Sequence, residues 1–394
     1  MTAPGAGRPT RDDPRLVIGF DAVRAFRNRT GLGNYARGVL RALRQRDPAL
    51  EMHLYSPWRP RQEFAGLPAE LGAMIHLPAE RAGRSRGSLW REFRAGRAAA
   101  RDGVRLFHGL SNVIPRDLPR SGVPGIVTIH DLIFEQAPHL FRPIDRWSYR
   151  RRFRWSATHA AAVVADSHHT SRDLVRRYHL DPTRITVIPP PRDLRFAAQP
   201  APDEAERMRV KYRLPPRFLL SVGTLEPRKN QRVLIEAIAK LGAGAPEPLV
   251  LIGRDGGSES ALRTEAAALG VADRVWIETA VESGDLAIVM RDAAVFLYPS
   301  RMEGFGMPIV EALSAGVPVV AANGGHLDDA AGPDSRYVSP DDAGAWAEAI
   351  AGILGDPAAA DRMRTAGLAH AAAFDPRPVA DALLSLYRRT LAAG

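Results

Sequence analysis

The 394-residue chain contains no cysteine. Disulfide-stapled scaffolds, Cys-ligated zinc, iron–sulfur clusters and thiol nucleophiles are therefore excluded, and the composition suits a reducing cytoplasm. No apolar run approaches the roughly 18 residues of a membrane span, and Met1–Arg15 has no apolar core of the kind that directs secretion. No two aspartates stand two positions apart, so the Asp-x-Asp pattern that holds a divalent cation is missing. The histidines His159, His168, His169 and His179 have no metal-ligand spacing and read as surface or capping residues. Zinc-finger, RNP-type and helix-turn-helix patterns are also missing, so only charge speaks for nucleic acid, and no nucleic-acid partner is expected. Lysine is scarce, occurring at Lys211, Lys229 and Lys240 alone.

What is present is an ordinary globular composition, 45% hydrophobic and 25% charged, long enough for two domains. The net charge of +10 is unevenly spread: residues 1–200 carry +16 and residues 201–394 carry −6. An Arg-rich codon bias explains the total but not the segregation, which marks the first half as a surface for phosphates, anionic lipid or nucleic acid.

Short apolar or β-branched runs alternate with longer helical patterns, the signature of βα units and parallel sheets. One series comprises Leu16–Phe20, Met52–Tyr55, Val104–His108, Gly125–Ile129, Ala161–Ala165 and Ile185–Ile188. A second comprises Phe218–Val222, Leu249–Ile252, Arg274–Ile277, Ala294–Tyr298 and Val317–Ala321. Between them, Pro189-Pro190-Pro191 and the polar stretch to Glu206 form a connector that continues neither helix nor strand. The reading is an α/β chain with a disordered lead-in (1–14), a first Rossmann-like domain (15–195), a second (205–372), and a terminal segment (373–394). In that segment Val379, Leu383, Leu386 and Leu391 lie on one face of a separately directed helix, Pro378–Leu391. Two such domains are expected to face each other across a cleft lined by strand carboxyl ends.

Three segments carry chemistry. Gly31-Leu32-Gly33-Asn34-Tyr35-Ala36 opens a helix whose Tyr35, Val39 and Leu43 share a face, and glycines there let backbone N–H groups approach a phosphate. The pattern also fits the dinucleotide fingerprint G-x-G-x-x-A, but ten residues separate it from Phe20, which ranks NAD binding below a phosphate or sugar loop; a simple capping glycine pair stays open. Val222-Gly223-Thr224-Leu225-Glu226-Pro227-Arg228-Lys229-Asn230 follows a strand and precedes the helix Val233–Lys240, placing two cations at a sheet edge where they can neutralise a diphosphate. In Pro299–Leu313 two carboxylates, Glu303 and Glu311, flank Gly304 and Gly306 where a loop runs into a helix. The carboxylates suit sugar and ribose hydroxyls, and the glycines let the backbone reach the sugar.

Taken in order, these segments, with His130-Asp131-Leu132 and Val164-Ala165-Asp166-Ser167 followed by Thr170 to Leu174, resemble the retaining glycosyltransferases of family 4 over nearly the whole chain. That resemblance implies the GT-B fold, a nucleotide-diphospho-sugar donor, a glycan or lipid-linked acceptor, no cofactor and no metal. It implies that Arg228 and Lys229 clamp the donor diphosphate and that Glu311 binds the ribose. Glu303, with the backbone of Phe305, Gly306 and Met307, is similar to the family's donor-sugar site. His130 resembles the histidine that faces the sugar, Gly31, Gly33 and Asn34 would close over the phosphates, and the last helix would cross back to the first domain. Where many members have Arg after the glycine of the second motif, this chain has Thr224, which implies a clamp either weaker or rearranged around Arg228. The expected reaction transfers a hexose, mannose from GDP-mannose foremost, in bacterial polysaccharide, lipopolysaccharide or glycolipid assembly. A UDP-sugar is the alternative donor; outside the class stand an NAD-dependent oxidoreductase and, third, a nonenzymatic basic binding protein.

The densest basic and aromatic stretch is Phe141–Trp155, in which Tyr149, Phe153, Ala157, Ala160 and Val164 have near-helical spacing. A solvated amphipathic helix is one reading. Peripheral contact with anionic lipid at the inner face of the membrane is the other.

Overall fold

The structure, a computed structural model, describes residues 16–78, 84–201, 203–242, 247–282 and 284–393. The lead-in expected over 1–14 lies outside the described residues. Contacts divide the chain into two compact units, one running to Pro191 and resuming at Pro376, the other spanning Arg192–Asp375.

The first unit holds seven strands: β1 (Val17–Asp21), β2 (Glu51–Tyr55), β3 (Met74–His76), β4 (Leu106–Gly109), β5 (Gly125–Ile129), β6 (Ala162–Ala165) and β7 (Ile185–Val187). Their order is β3-β2-β1-β4-β5-β6-β7, parallel throughout. The second holds β8 (Phe218–Val222), β9 (Leu249–Ile252), β10 (Val275–Glu278), β11 (Ala293–Tyr298), β12 (Val319–Ala322) and β13 (Arg336–Val338), in the parallel order β10-β9-β8-β11-β12-β13. In each sheet the winding reverses beside the first strand, between β1 and β4 and between β8 and β11. Loops leaving such a strand pair diverge to opposite faces and open a crevice at their carboxyl ends.

Central strands read as unbroken buried runs because helices cover both faces: β1, β5 and β11 are buried along their whole length. Strands β3 and β13 escape the apolar pattern. Each has three residues at a sheet edge, and Met74 and Ile75 are 45% and 39% exposed, so burial selects no hydrophobic run there.

Two local expectations change. The helix Pro143–His159 ends before Ala160, whose backbone turns extended, so the spacing expected to run on to Val164 breaks and Val164 lies buried in β6. The terminal helix starts at Pro376 rather than Pro378, because prolines in a first turn lack only N–H groups that have no intrahelical partner. It packs on the helix Gly31–Arg46 of its own unit through buried Val379, Leu383, Leu386 and Tyr387, and Arg46 reaches Asp381 at 2.5 Å.

Candidate functional site

In the second unit both chemical motifs leave the strands that flank the winding reversal. After β8 the chain passes Gly223 and Thr224 into a tight turn, Pro227–Lys229, that ends at Asn230 with φ +58°. After β11 it runs through Ser300 to Glu303. Asn230 ties the two loops: its amide donates to Pro340 O at 2.6 Å and its Oδ1 accepts from Arg301 at 2.9 Å. The Arg301 N–H donates to Arg228 O at 3.0 Å.

These ties bring the predicted cations and carboxylate together. Lys229 Nζ donates to Glu303 Oε1 at 2.5 Å and to Tyr298 OH at 2.8 Å, and Ser300 Oγ donates to the same Glu303 oxygen at 2.6 Å. Arg228 lies 3.1 Å from Glu303, 2.6 Å from Glu226 and 2.5 Å from Met302 O. Burial alone would push the Glu303 carboxyl up, but Lys229 and Arg228 outweigh it and hold it down to about 2. The same exchange keeps Arg228 above its ordinary value against burial. Two cations thus sit in the crevice, each balanced by a carboxylate from its own unit. The Thr224 carbonyl accepts from Gln231 at 3.0 Å, and its side chain makes no hydrogen bond among the described residues.

Beyond Glu303 the chain enters the helix Met307–Ser314. Gly306, at its N-cap, has φ +105°, and a Cβ there would lie 3.0 Å from Leu327, so glycine is required. Among the described residues the amides of Phe305, Gly306 and Met307 donate to nothing, leaving three successive N–H groups at a helix start. The Phe305 ring itself is buried, edge-on to Phe374 with centroids 5.5 Å apart, and anchors this turn. The carboxylate of Glu311, one turn along, has no hydrogen-bond partner among the described residues. Burial and the nearby Asp193 push its carboxyl up to about 7, against the pull of Arg195.

In the first unit the predicted glycines have different causes. A Cβ on Gly33 would fall 1.9 Å from Asn28 O, whereas none of the surrounding atoms lies within 4 Å of one on Gly31. Asn34 accepts from Arg37 at 2.7 Å, and Arg37 also donates to Ala25 O and Asn28 O at 2.9 and 2.8 Å, fixing the approach to the helix. A separate turn of helix, Val23–Arg27, intervenes between β1 and Gly31, unlike the direct strand-to-glycine order of a dinucleotide fingerprint.

His130 follows β5 and is buried. Its Nδ1 meets Asp166 at 2.5 Å and its Nε2 meets Leu110 O at 3.0 Å, both acceptors, so both nitrogens donate and the ring is an imidazolium. Burial opposes that charge, but Asp166 holds the ring above its ordinary value. Beside it runs a neutral network. Tyr35, edge-on to His130 at 4.6 Å, bonds Thr128 at 3.0 Å; Thr128 bonds His108 at 2.9 Å; and His108 bonds Tyr387 of the terminal helix at 2.7 Å. Burial, with the charge of His130, pulls His108 down to about 3.

The motif reading assigned no role to Asp166, Tyr298, Ser300 or Asn230, although each lies inside or beside a quoted segment. Their roles arise from partners far off in sequence. No helix among the described residues is long and apolar enough to cross a membrane.

Residues 203–370 match the family of glycosyl transferases group 1, and residues 29–196 match Glycosyltransferase Family 4. Similar curated proteins include the D-inositol 3-phosphate glycosyltransferase of Thermobispora bispora, 32% identical over 243 residues, 59% of this chain and 56% of that protein. That of Mycobacterium avium is 34% identical over 241 residues, 59% and 55% of the two. The chain spans about half the length of the curated relatives it matches. Among solved structures, a Rickettsia africae glycosyltransferase aligns with TM-score 0.75 at 16% identity, covering 96% of this chain and 99% of that one. Anabaena Alr3699/HepE, solved with UDP and glucose, aligns with TM-score 0.73 at 18% identity, covering 95% and 100%. At such identities the likeness concerns the fold.

Proposed function

The chain belongs to the group 1, family 4 glycosyltransferases and has their GT-B type of fold; from that premise we propose that it moves a hexose from a nucleotide-diphospho-sugar to a hydroxyl of a glycan or lipid-linked acceptor. The observation that carries this reading is the crevice between β8 and β11, where Lys229 and Arg228 meet Glu303 beside three free amides and the unpartnered Glu311. The diphosphate takes the two cations and the amides, and Glu311 accepts from the ribose diol. Glu303 turns from holding cations to holding sugar hydroxyls. Cationic side chains supply the charge neutralisation that a metal gives elsewhere, so the reaction needs no added metal. The anomeric configuration is retained, with the departing phosphate taking the acceptor proton on the face it leaves. His130, with both nitrogens donating, is suited to be a fixed charge and not a base.

Mannose from GDP-mannose is the donor favoured by the Gly223–Asn230 stretch, for assembly of bacterial polysaccharide or glycolipid. A UDP-sugar is the second reading, favoured by the UDP and glucose held by the Anabaena neighbour. The enzyme would work in the cytoplasm, at the inner face of the membrane. Exposed Ile144 and Trp147 stand one turn apart on the helix Pro143–His159, with exposed Arg150, Arg151 and Arg154 following, a face suited to anionic lipid.

The test incubates the purified chain with labelled GDP-mannose and UDP-sugars in chelator, and follows product anomers by NMR. Transfer from GDP-mannose with retention supports the proposal; turnover only with UDP-sugars moves the donor to the second reading, and inversion or strict metal dependence overturns the mechanism.

A further inference from the structure

Part of the first half's basicity lines a place that the donor chemistry does not use. A cleft of about 420 Å3, its open mouth included, is lined by Asp21, Arg91, Glu92, Arg116, Arg152 and Trp155 among others. Asp21 ends β1 and Arg116 lies in the segment after β4, so the cleft opens at the winding reversal of the first sheet, where doubly wound folds take ligands.

Its charges do not balance. Arg91 Nε donates to Asp21 at 3.0 Å and Arg116 Nε to Glu92 at 2.7 Å. Arg152 reaches Glu92 only at 3.7 Å and makes no hydrogen bond among the described residues. Three guanidinium groups therefore share two carboxylates. The side chains of Arg91, Arg116 and Arg152 are only 19%, 19% and 34% exposed, so water compensates the excess poorly. Burial, together with repulsion from Arg91, pulls Arg152 below the ordinary arginine value. Arg116 stacks on Trp155 at 5.0 Å, and Trp90 adds a second aromatic wall.

We propose that this cleft binds a phosphate group carried by the acceptor. A phosphomonoester brings roughly two negative charges near neutral pH, which the surplus cation, Arg152, meets with Arg91 and Arg116 beside it. Its oxygens suit the guanidinium fork, and Trp90 gives an attached sugar ring an apolar contact. The inference rests on the reading of this unit as the acceptor side of a glycosyltransferase.

The test titrates inorganic phosphate into the full chain and follows tryptophan fluorescence, since Trp90 and Trp155 line the cleft. A saturable response is expected, weakened about tenfold in Arg152→Gln at an unchanged melting temperature, and retained in Lys229→Ala, whose lesion lies in the other unit. A response that never saturates, or is equal in Arg152→Gln and the unaltered chain, or vanishes in Lys229→Ala alone, overturns the assignment. Vesicles of phosphatidylglycerol separate a lipid headgroup from a soluble phosphate: a response to vesicles without one to inorganic phosphate also overturns it. In transfer assays a hexose 6-phosphate should show a KM at least tenfold below that of the free hexose, with the advantage lost in Arg152→Gln; equal KM values count against the acceptor role. Absence of transfer from every donor bears on the proposed function alone, because the phosphate titration needs no turnover.

Discussion

The Lys229 ammonium lies 2.5 Å from Glu303 Oε1 across 74 residues of sequence, and the same oxygen accepts from Ser300 and Tyr298. A carboxylate that gathers so many donors is what holds two cations together in the crevice. Glu303→Gln should cost about 3 kcal/mol of stability, because it leaves Lys229 part-buried without its counter-charge and Arg228 with Glu226 alone. Those freed cations should still bind a nucleoside diphosphate at least as tightly, while transfer falls steeply. Urea denaturation and calorimetric titration measure the two effects. Glu303 sits well below the ordinary carboxylate value, so its stabilisation is complete above that value and is lost as pH falls toward about 2.

Glu311 runs the other way. Its carboxyl is pushed up to about 7, so the folded state favours the protonated form and loses stability from this group as pH rises from the ordinary carboxylate range through 7. A ribose diol needs the ionised form as acceptor. Nucleotide affinity should therefore rise up to about tenfold between pH 6 and 8 as the group ionises. Glu311→Gln should bind more weakly and lose that rise; a slope shared by both proteins would assign it to the nucleotide phosphates.

The two glycines of the first motif should separate cleanly. Gly33→Ala drives a Cβ into Asn28 O and should cost about 2 kcal/mol. Gly31→Ala meets nothing and should leave stability equal or raised by about 0.5 kcal/mol. Any catalytic loss in Gly31→Ala then reports on a ligand and not on the fold. Thermal melts beside donor KM values distinguish the cases.

Membrane contact has its own measurement. The chain should sediment with phosphatidylglycerol vesicles and not with phosphatidylcholine, and less so in high salt. The double change Trp147→Ser with Arg151→Gln should cut the bound fraction severalfold. Equal partitioning into both vesicles would remove the lipid reading of the helix Pro143–His159.

Much of this is legible in the sequence. The eleven runs chosen as strands all fall on strands, with ends moved by at most two residues, because central strands covered on both faces must be apolar throughout. The segments holding Arg228, Lys229 and Glu303 stood out because glycines and charged residues interrupt such runs where loops leave a sheet. Strands β3 and β13 were invisible for the opposite reason: at a sheet edge, three residues need little burial and so carry little pattern. Phe305 was named for its backbone, and its ring proved to be a core anchor against Phe374. Asp166 was quoted within a motif, yet nothing local says that its carboxylate turns His130 into an imidazolium.

The residues alone determined the alternation of strand and helix, the proline connector between two series, and the order of the glycine and charged segments, since each depends on neighbours a few positions away. Tertiary structure decided the pairings: Lys229 with Glu303, His130 with Asp166 and Leu110, and His108 with Tyr387 over a separation of 279 residues. Those contacts follow from which strands lie side by side and which helix returns to cover them. No local periodicity encodes that adjacency; burying the apolar faces of whole sheets does.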